Sequence, residues 1–205
     1  MNHIETFKSA WKNPQFTMIE LAPVDVNRIL RQHYRCTPEL QMTKSQVWDM
    51  EIKKASRPDL FIPSVIRSNS AVSCGNMEKG NIETFIRVSE QRLWLDASQY
   101  GTVIEDVHID HNTKTVTFIG EPKINSKEHG DFVTTEEQSL FHVQHGVVGE
   151  EDQPLNTWKI VHLTSENEQE LRERFLQMNN AKWLPEYIEV YIRNILGKRL
   201  ERILF

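Results

Sequence analysis

The clearest helix start in the sequence lies in Met42-Thr43-Lys44-Ser45-Gln46-Val47-Trp48, which is followed by Pro58 and then by Phe61-Ile62-Pro63. Thr43 and Gln46 have the spacing of a capping box, in which each side chain accepts a hydrogen bond from the other residue's backbone amide, so a helix begins after Thr43. Proline disfavours the α conformation at the residue before it, and Pro58 therefore ends this helix near Ser56. A single helical turn over 59–62 runs into Pro63. The stretch predicts two short helices in succession.

After Val65 the hydrophobic pattern changes from the period of a helix to that of β-strands. Short runs rich in Val, Ile, Thr, Phe and Trp alternate with polar residues up to about residue 163. They predict strands at 65–74, 81–89, 92–98, 102–109, 114–120, 134–144 and 155–163. The turn at 110–113 makes 102–120 a β-hairpin, and polar loops are predicted at 75–80 and 149–153.

Helical periodicity returns after Ser165 and continues almost to the last residue. Pro185 interrupts it and is tolerated best in the first turn of a new helix or at a kink. On the N-terminal side, 2–12 predict a short amphipathic helix and 16–21 an extended segment. The pattern of 24–36 fits a helix and a strand equally well.

This order of elements resembles the START-like superfamily, also called the polyketide-cyclase or SRPBCC superfamily. The residues that carry the resemblance are those of 42–66, which contain the T-x-x-Q-V-W start and the F-I-P ending of the first helical pair in this superfamily. They are most similar to the AtaL-like branch. The resemblance implies an α+β helix-grip fold, in which a curved antiparallel β-sheet wraps around a long C-terminal helix and two short helices close one end. It treats residues 1–205 as one domain, with 1–28 as an N-terminal extension of uncertain structure.

Composition and charge argue against two classes of protein, nucleic-acid binders and membrane-spanning proteins. The chain has 24 Lys and Arg against 29 Asp and Glu, a formal net charge of −5, whereas nucleic-acid binders usually carry a basic face. No apolar run approaches the length of a membrane span. Cys36 and Cys74 lack metal-binding or disulfide-framework spacing, and the first residues do not resemble a secretory signal, so a cytoplasmic location is expected.

No common catalytic motif is present: the sequence contains no Gly-rich phosphate loop, G-x-S-x-G or H-E-x-x-H pattern, and no cofactor is expected. His108 and His111 lie three residues apart, as do His142 and His145. On strands this spacing turns the two imidazoles to opposite faces, so no metal site is expected either.

The resemblance implies a cavity between the sheet and the C-terminal helix, and we expect it to bind a hydrophobic or aromatic small molecule. The alternative is an enzyme of the polyketide cyclase or aromatase type, as found among members of the superfamily. A further alternative is a non-catalytic interaction module that uses its N-terminal extension to form a homodimer or to dock on a partner.

Two histidines are candidate catalytic residues of such a cavity. His142 shares a strand face with Leu140, and His162 shares one with Trp158 and Ile160. If these faces line the cavity, a neutral imidazole could hydrogen-bond a ligand or act as a general base. The opposite faces of both strands are equally apolar, so the pattern leaves the orientation open.

Two carboxylates complete the catalytic candidates. Glu105 and Asp106 interrupt an apolar strand, and one of them must face inward because successive residues alternate. Paired with Arg87 on a neighbouring strand, the inward carboxylate would instead form a structural ion pair. The enzyme alternative requires at least two of the four candidates to meet at one point of the cavity.

Aromatic residues near the C-terminus are candidate ligand contacts, together with Trp158 and Ile160. Trp183, Tyr187 and Tyr191 recur at intervals of four and would form one ridge on the last helix. The ridge would either line the floor of the cavity or pack on the sheet as ordinary core.

Overall fold

An antiparallel β-sheet with helices on both faces organises the fold, as seen in a computed structural model that describes residues 2–126, 129–179 and 182–204. The helices are α1 (His3–Trp11), α2 (Val26–His33), α3 (Lys44–Ser56), α4 (Pro58–Phe61), α5 (Glu168–Met178) and α6 (Glu186–Val190), which a π-helical turn over Tyr191–Ile195 continues. The strands are β1 (Thr17–Glu20), β2 (Val24–Asp25), β3 (Tyr34–Thr37), β4 (Val72–Lys79), β5 (Ile82–Arg92), β6 (Tyr100–Asp110), β7 (Thr115–Glu121), β8 (Lys123–Ser126), β9 (Gly130–Val133), β10 (Phe141–Glu150), β11 (Gln153–His162) and β12 (Arg199–Arg202).

The main sheet has the order β1-β11-β10-β7-β6-β5-β4, and β2 pairs with β11 beside β1. All neighbouring strands in it are antiparallel. Two further pairs, β8 with β9 and β3 with β12, lie outside it. The curved sheet and the helices that pack on it confirm the predicted α+β helix-grip fold.

The motif around Trp48 forms the predicted helices α3 and α4. Thr43 Oγ1 accepts a hydrogen bond from Gln46 N at 3.1 Å, and Gln46 Oε1 accepts one from Thr43 N at 3.0 Å, so the capping box is confirmed. Pro58 is the first residue of α4. Together α3 and α4 cover one face of the sheet, which we call the inner face; α5 and α6 lie on the same side.

Several predicted strands have different bounds in the structure. The hairpin over 102–120 is confirmed as β6 and β7, but 92–98 is not a strand, because β5 ends at Arg92 and the chain turns before β6. The predicted loop 75–80 belongs largely to β4, an edge strand whose exposed polar residues are held extended by pairing with β5. The loop predicted at 149–153 is a tight turn between β10 and β11, in which Gly149 has a φ of 84°.

The C-terminal region does not form the single long helix that the sequence predicted, but two helices and a strand. Pro185 lies at the start of a new helix, α6, which is the first of its two predicted roles, and the helix that packs on the sheet runs only from Glu186 to Ile195. Gly197 has a φ of 63°, a left-handed conformation that residues other than glycine rarely adopt. Helical structure ends before it. Arg199–Arg202 then pair with Tyr34–Thr37 instead of extending the helix.

The N-terminal segment is well structured and contributes to the main sheet. The helix α1 lies on the outer face, where Phe7 and Ala10 form a second apolar cluster with Ile119 and Val161. The strand β1 pairs with β11 and adds an edge strand to the sheet. Burying a phenylalanine side chain such as that of Phe7 contributes about 1.5–3 kcal/mol. Across the described residues, no helix has the length and apolar character needed to cross a membrane.

Candidate functional site

A cavity of about 270 Å³ lies between the inner face of the sheet and the helices α3, α5 and α6, and we call it the main cavity. Alternate residues of β7, β10 and β11 point into it because successive side chains of a strand face opposite ways. Its wall is mostly aromatic and aliphatic, including Trp94, Phe118, Phe141, Val143 and Trp158. Exposed Ala22, Ser64 and Met178 mark its open side.

Charged residues of α3 form one end of the main cavity. Lys54 Nζ lies 2.7 Å from Glu51 Oε2 and 2.5 Å from Nδ1 of His145 on β10. The side chains of Lys54 and Glu51 are 4% and 0% exposed. This end of the cavity therefore holds an ion pair and an imidazole away from bulk water, and we call it the polar end.

Asn156 on β11 connects the polar end to α6. Its Nδ2 donates to Glu51 Oε1 at 2.8 Å, and its Oδ1 accepts a hydrogen bond from the hydroxyl of Tyr187 at 2.8 Å. The Lys54 ammonium lies 3.9 Å above the centre of the Tyr187 ring, a cation–π contact. Residues from α3, β10, β11 and α6 are thus joined in one hydrogen-bonded network.

A second buried ion pair lies beside this network. Arg87 on β5 donates to Glu105 on β6 from Nε at 3.0 Å and from Nη2 at 2.5 Å, and its Nη1 donates to the carbonyl of Ala55 at 2.8 Å. The guanidinium also stacks 4.6 Å from the centre of the Phe118 ring. Glu105 therefore faces inward in a structural ion pair with Arg87, which was one of the two predicted outcomes for this carboxylate.

Burial sets the protonation of the polar end. Desolvation lowers the pKa of Lys54, although the neighbouring Glu51 carboxylate opposes the shift. Burial alone would raise the pKa of Glu51, but the charge of Lys54 and the contacts with Lys54 and His145 together outweigh it and lower the pKa. Desolvation and the Lys54 charge lower the pKa of His145 to about 4, so its imidazole is neutral at pH 7.

The structure places Asp106 and His142 on the outer face, outside the main cavity. Asp106 Oδ1 lies 2.8 Å from Nε2 of His3 on α1. His142 Nδ1 accepts a hydrogen bond from the amide of Gly120 at 3.1 Å, and His142 pairs in register with Ile119 of the outer cluster. These two predicted catalytic residues are therefore not brought together with Glu105, because the register turns their side chains to the opposite face.

His162 faces inward but lies away from the polar end. It is 1% exposed, and its ring packs 5.5 Å from that of Phe175 on α5. It lines a second cavity of about 310 Å³, whose wall also includes Leu93, Gln138 and Leu171. Desolvation alone lowers the pKa of His162 to about 4. The four predicted acid–base candidates consequently do not meet at one point.

The predicted ligand contacts also separate. Trp158 and Tyr187 line the main cavity, whereas Ile160 is 1% exposed within the core. Trp183 packs against Tyr34 with ring centroids 5.7 Å apart. The hydroxyl of Tyr191 donates to Asp49 Oδ2 at 2.8 Å, at the surface of α3. The aromatic ridge does not form, because Pro185 starts a new helix after Trp183 and so breaks the interval of four.

Sequence reasoning missed Lys54, Glu51, His145 and Asn156 as functional candidates. The signal for Lys54 was present, because Lys54 shares a face of the predicted helix with apolar Val47. A lysine on the apolar face of a helix needs a buried partner, and Glu51 supplies it three residues earlier. His145 and Asn156 gave no such signal, because their positions follow from strand register alone. No group of three or more metal-ligating side chains occurs within the described ranges.

Comparisons with known proteins support the fold. No model of a protein family matches the sequence, and no curated protein matches it. Dicamba monooxygenase bound to 3,6-dichlorosalicylic acid superposes with a TM-score of 0.54 at 7% identity, covering 92% of this chain and 53% of the other. This likeness shows a shared fold alone.

Two smaller proteins superpose less closely. The Zhui aromatase/cyclase from Streptomyces sp. R1128 gives a TM-score of 0.48 at 10% identity, covering 87% of this chain and 95% of the other. Ara h 8.0201 gives 0.49 at 9% identity, covering 85% and 97%. These values add no argument about function.

Proposed function

We propose that the protein binds a small, mainly apolar or aromatic molecule in the main cavity. The observation that carries the proposal is an internal space of about 270 Å³ with an aromatic and aliphatic wall and a few polar groups at one end. Binding sites for small molecules usually combine these features. The buried charges support a binding role as well. Lys54 and Arg87 are already paired with carboxylates, so the wall of the cavity is formed before any ligand binds.

The proposal is tested with the neutral fluorophore Prodan, whose emission shifts on entering an apolar site. We expect saturable one-to-one binding to the full-length chain. Val143→Phe, which fills the main cavity from β10, should weaken binding at least tenfold. Val148→Phe is the matched control, since Val148 lies on the same strand but is 44% exposed, and it should leave the affinity unchanged.

A second variant is needed because Val143→Phe overpacks the core, which costs about 1–3 kcal/mol and could by itself weaken binding. Ala22 is exposed at the open side of the main cavity, so Ala22→Phe narrows the entrance without adding volume to the core. It should slow or weaken Prodan binding. Absence of saturable binding to the wild-type chain, or equal binding by all three variants, would reject the proposal.

A second candidate is an acid–base enzyme of the cyclase or aromatase type. The observation that favours it is the polar end, where a lysine of lowered pKa, a neutral imidazole and a phenol border an apolar space. These groups differ from the four residues predicted from the sequence. The candidate predicts exchange of the methyl protons of acetylnaphthalene with deuterium oxide faster than in buffer, which NMR would detect.

Three further expectations remain proposals. A cytoplasmic location is supported by Cys36 and Cys74, which are both unpaired. One domain over 1–205 is supported by α1 and β1, which pack on or extend the main sheet. Nucleic acid is not expected as a partner because the net charge is −5. The likeness of 42–66 to the AtaL-like branch stays a prediction.

A further inference from the structure

Four aromatic rings pack against one another on the inner face of the sheet. They belong to Trp94, which follows β5, to Phe141 on β10, His162 on β11 and Phe175 on α5. The centroid of the Trp94 ring lies 5.8 Å from that of Phe141 and 4.8 Å from that of Phe175. The centroid of the His162 ring lies 5.8 Å from that of Phe141 and 5.5 Å from that of Phe175. Each ring therefore contacts two others in a closed layer, which we call the aromatic partition.

The aromatic partition lies between the main cavity and the second cavity, as the order of residues on α5 shows. Met178 lines the main cavity, Leu171 lines the second cavity, and Phe175 lies between them on the helix. Since an α-helix rises about 1.5 Å per residue, the two lining residues are about 10 Å apart along α5. Phe175 is 0% exposed, so packed side chains fill this interval.

The strand β11 repeats this order on the other side of the cavities. Trp158 lines the main cavity and His162 lines the second one. Ile160, which shares their face of the strand, lies between them and is 1% exposed. Among the described residues, Trp94 alone borders both cavities. The two cavities therefore come closest to each other at Trp94.

Trp94 is the member of the aromatic partition that a substitution can change with least damage to the core. Phe141 and Phe175 are 5% and 0% exposed, whereas Trp94 is half-buried and lies in the connection between β5 and β6. Without its ring, the main cavity of about 270 Å³ and the second cavity of about 310 Å³ would share one space. The size of the side chain at this position therefore sets where the main cavity ends.

We infer that the aromatic partition limits the length of the ligand, and that Trp94 is the residue that determines this specificity. The inference rests on the proposed function and names its ligand class. The ligand is a compact molecule of one or two fused rings. A long alkyl chain on such a molecule meets the aromatic partition at one end and extends at the open side into water, so it gains few contacts with the protein.

The inference is tested with Prodan and two homologues in which its propionyl group is replaced by hexanoyl or nonanoyl. All three share one fluorophore, so their affinities are measured directly by titration of the full-length chain. Each fully buried methylene group would improve the affinity about fourfold. For the wild type we expect the hexanoyl and nonanoyl homologues to bind within about threefold of Prodan, because their additional methylene groups are not buried.

Trp94→Ala opens the aromatic partition and should make the affinity rise through the whole series, with the nonanoyl homologue at least tenfold tighter than Prodan. Trp158→Ala is the matched control, because it removes the same indole from the wall of the main cavity at a residue that does not border the second cavity. Its affinity should level off at the hexanoyl homologue. Trp94→Leu is a milder change that guards against a folding defect, and it should give a smaller rise in the same direction.

The outcomes separate this inference from the proposed function. A wild type whose affinity rises through the series as steeply as that of Trp94→Ala would overturn the inference, and so would an equal gain for the nonanoyl homologue in Trp158→Ala. Saturable binding of Prodan in either case would leave the binding function standing. Failure of Prodan and both homologues to bind the wild type would overturn the binding function itself.

Discussion

Lys54 and Glu51 form an ion pair 2.7 Å long within one turn of α3, with side chains 4% and 0% exposed. A buried pair of this kind stabilises a protein little relative to apolar residues, but breaking it leaves a buried charge without a partner. The pair also reaches the sheet, through His145 on β10 and Asn156 on β11. It therefore fixes how α3 lies over the inner face and where the polar end of the main cavity forms.

Lys54→Met should lower the free energy of unfolding by roughly 3–5 kcal/mol, because Glu51 is left charged and buried. Urea unfolding followed by tryptophan fluorescence measures this loss. Lys53→Met is the matched control, since Lys53 and its partner Asp49 are both more than 40% exposed, and it should cost at most about 1 kcal/mol.

The double variant Lys54→Met with Glu51→Leu separates the lost ion pair from lost packing. Removing both charges should recover much of the stability that the single variant loses. If Lys54→Met were as harmless as Lys53→Met, the ion pair would not be buried as described.

Stability should fall in acid because His162 is buried and neutral. Its pKa is lowered from 6.5 to about 4 by desolvation. Between these values the unfolded chain binds a proton that the folded chain does not, so protons favour unfolding. The contribution of His162 is complete above pH 6.5 and is lost as the pH falls to about 4, an effect of roughly 3 kcal/mol.

The pH effect is measured from urea unfolding between pH 4 and pH 7.5 in the wild type and in His162→Leu. The variant should lose part of the acid sensitivity, whereas His129→Leu, a change at an exposed histidine, should keep it. Identical pH profiles for the wild type and His162→Leu would contradict the burial of this imidazole.

Two tyrosines of the predicted ridge should respond differently to loss of the hydroxyl. Tyr187→Phe leaves Asn156 Oδ1 unpaired at the polar end, which should cost about 1–3 kcal/mol and change the affinity for Prodan. Tyr191→Phe removes a hydrogen bond to half-exposed Asp49 and should cost about 1 kcal/mol. Prodan affinity should stay constant in Tyr191→Phe; a clear loss there would place Tyr191 in the site.

Removal of residues 1–14 should destabilise the fold, since it takes α1 away from the outer face. Ile119 and Val161, which are 2% and 0% exposed, would then lie open to water. Size-exclusion chromatography should show self-association of the shortened chain, because exposed apolar patches promote it. A shortened chain as stable as the full one, and monomeric, would mean that α1 serves another purpose, such as docking.

The α+β class and the elements around Trp48 followed from local sequence signals. The capping box of Thr43 and Gln46 and the helix break at Pro58 depend only on neighbouring residues, and both are confirmed. The alternating strands of 102–120 are set locally as well. By contrast, the strand over Arg199–Arg202 exists because Tyr34–Thr37 supply its partner, which no local pattern shows.

The site was less predictable, because it depends on strand register. A shift of one residue turns a whole strand over, and both faces of β10 are apolar enough to be buried. In the structure Phe141 pairs with His162, so that His145 faces the main cavity while His142 faces α1. The sequence analysis proposed His142 and His162 as catalytic residues of one cavity. The strand register instead places them on opposite faces of the sheet.

A crystal structure of the protein grown with acetylnaphthalene would show directly whether the main cavity binds a small apolar molecule. We expect the naphthalene ring in the main cavity, in contact with Phe118 and Trp158. Density for the compound elsewhere on the protein, with side chains filling the space between the sheet and α6, would contradict it.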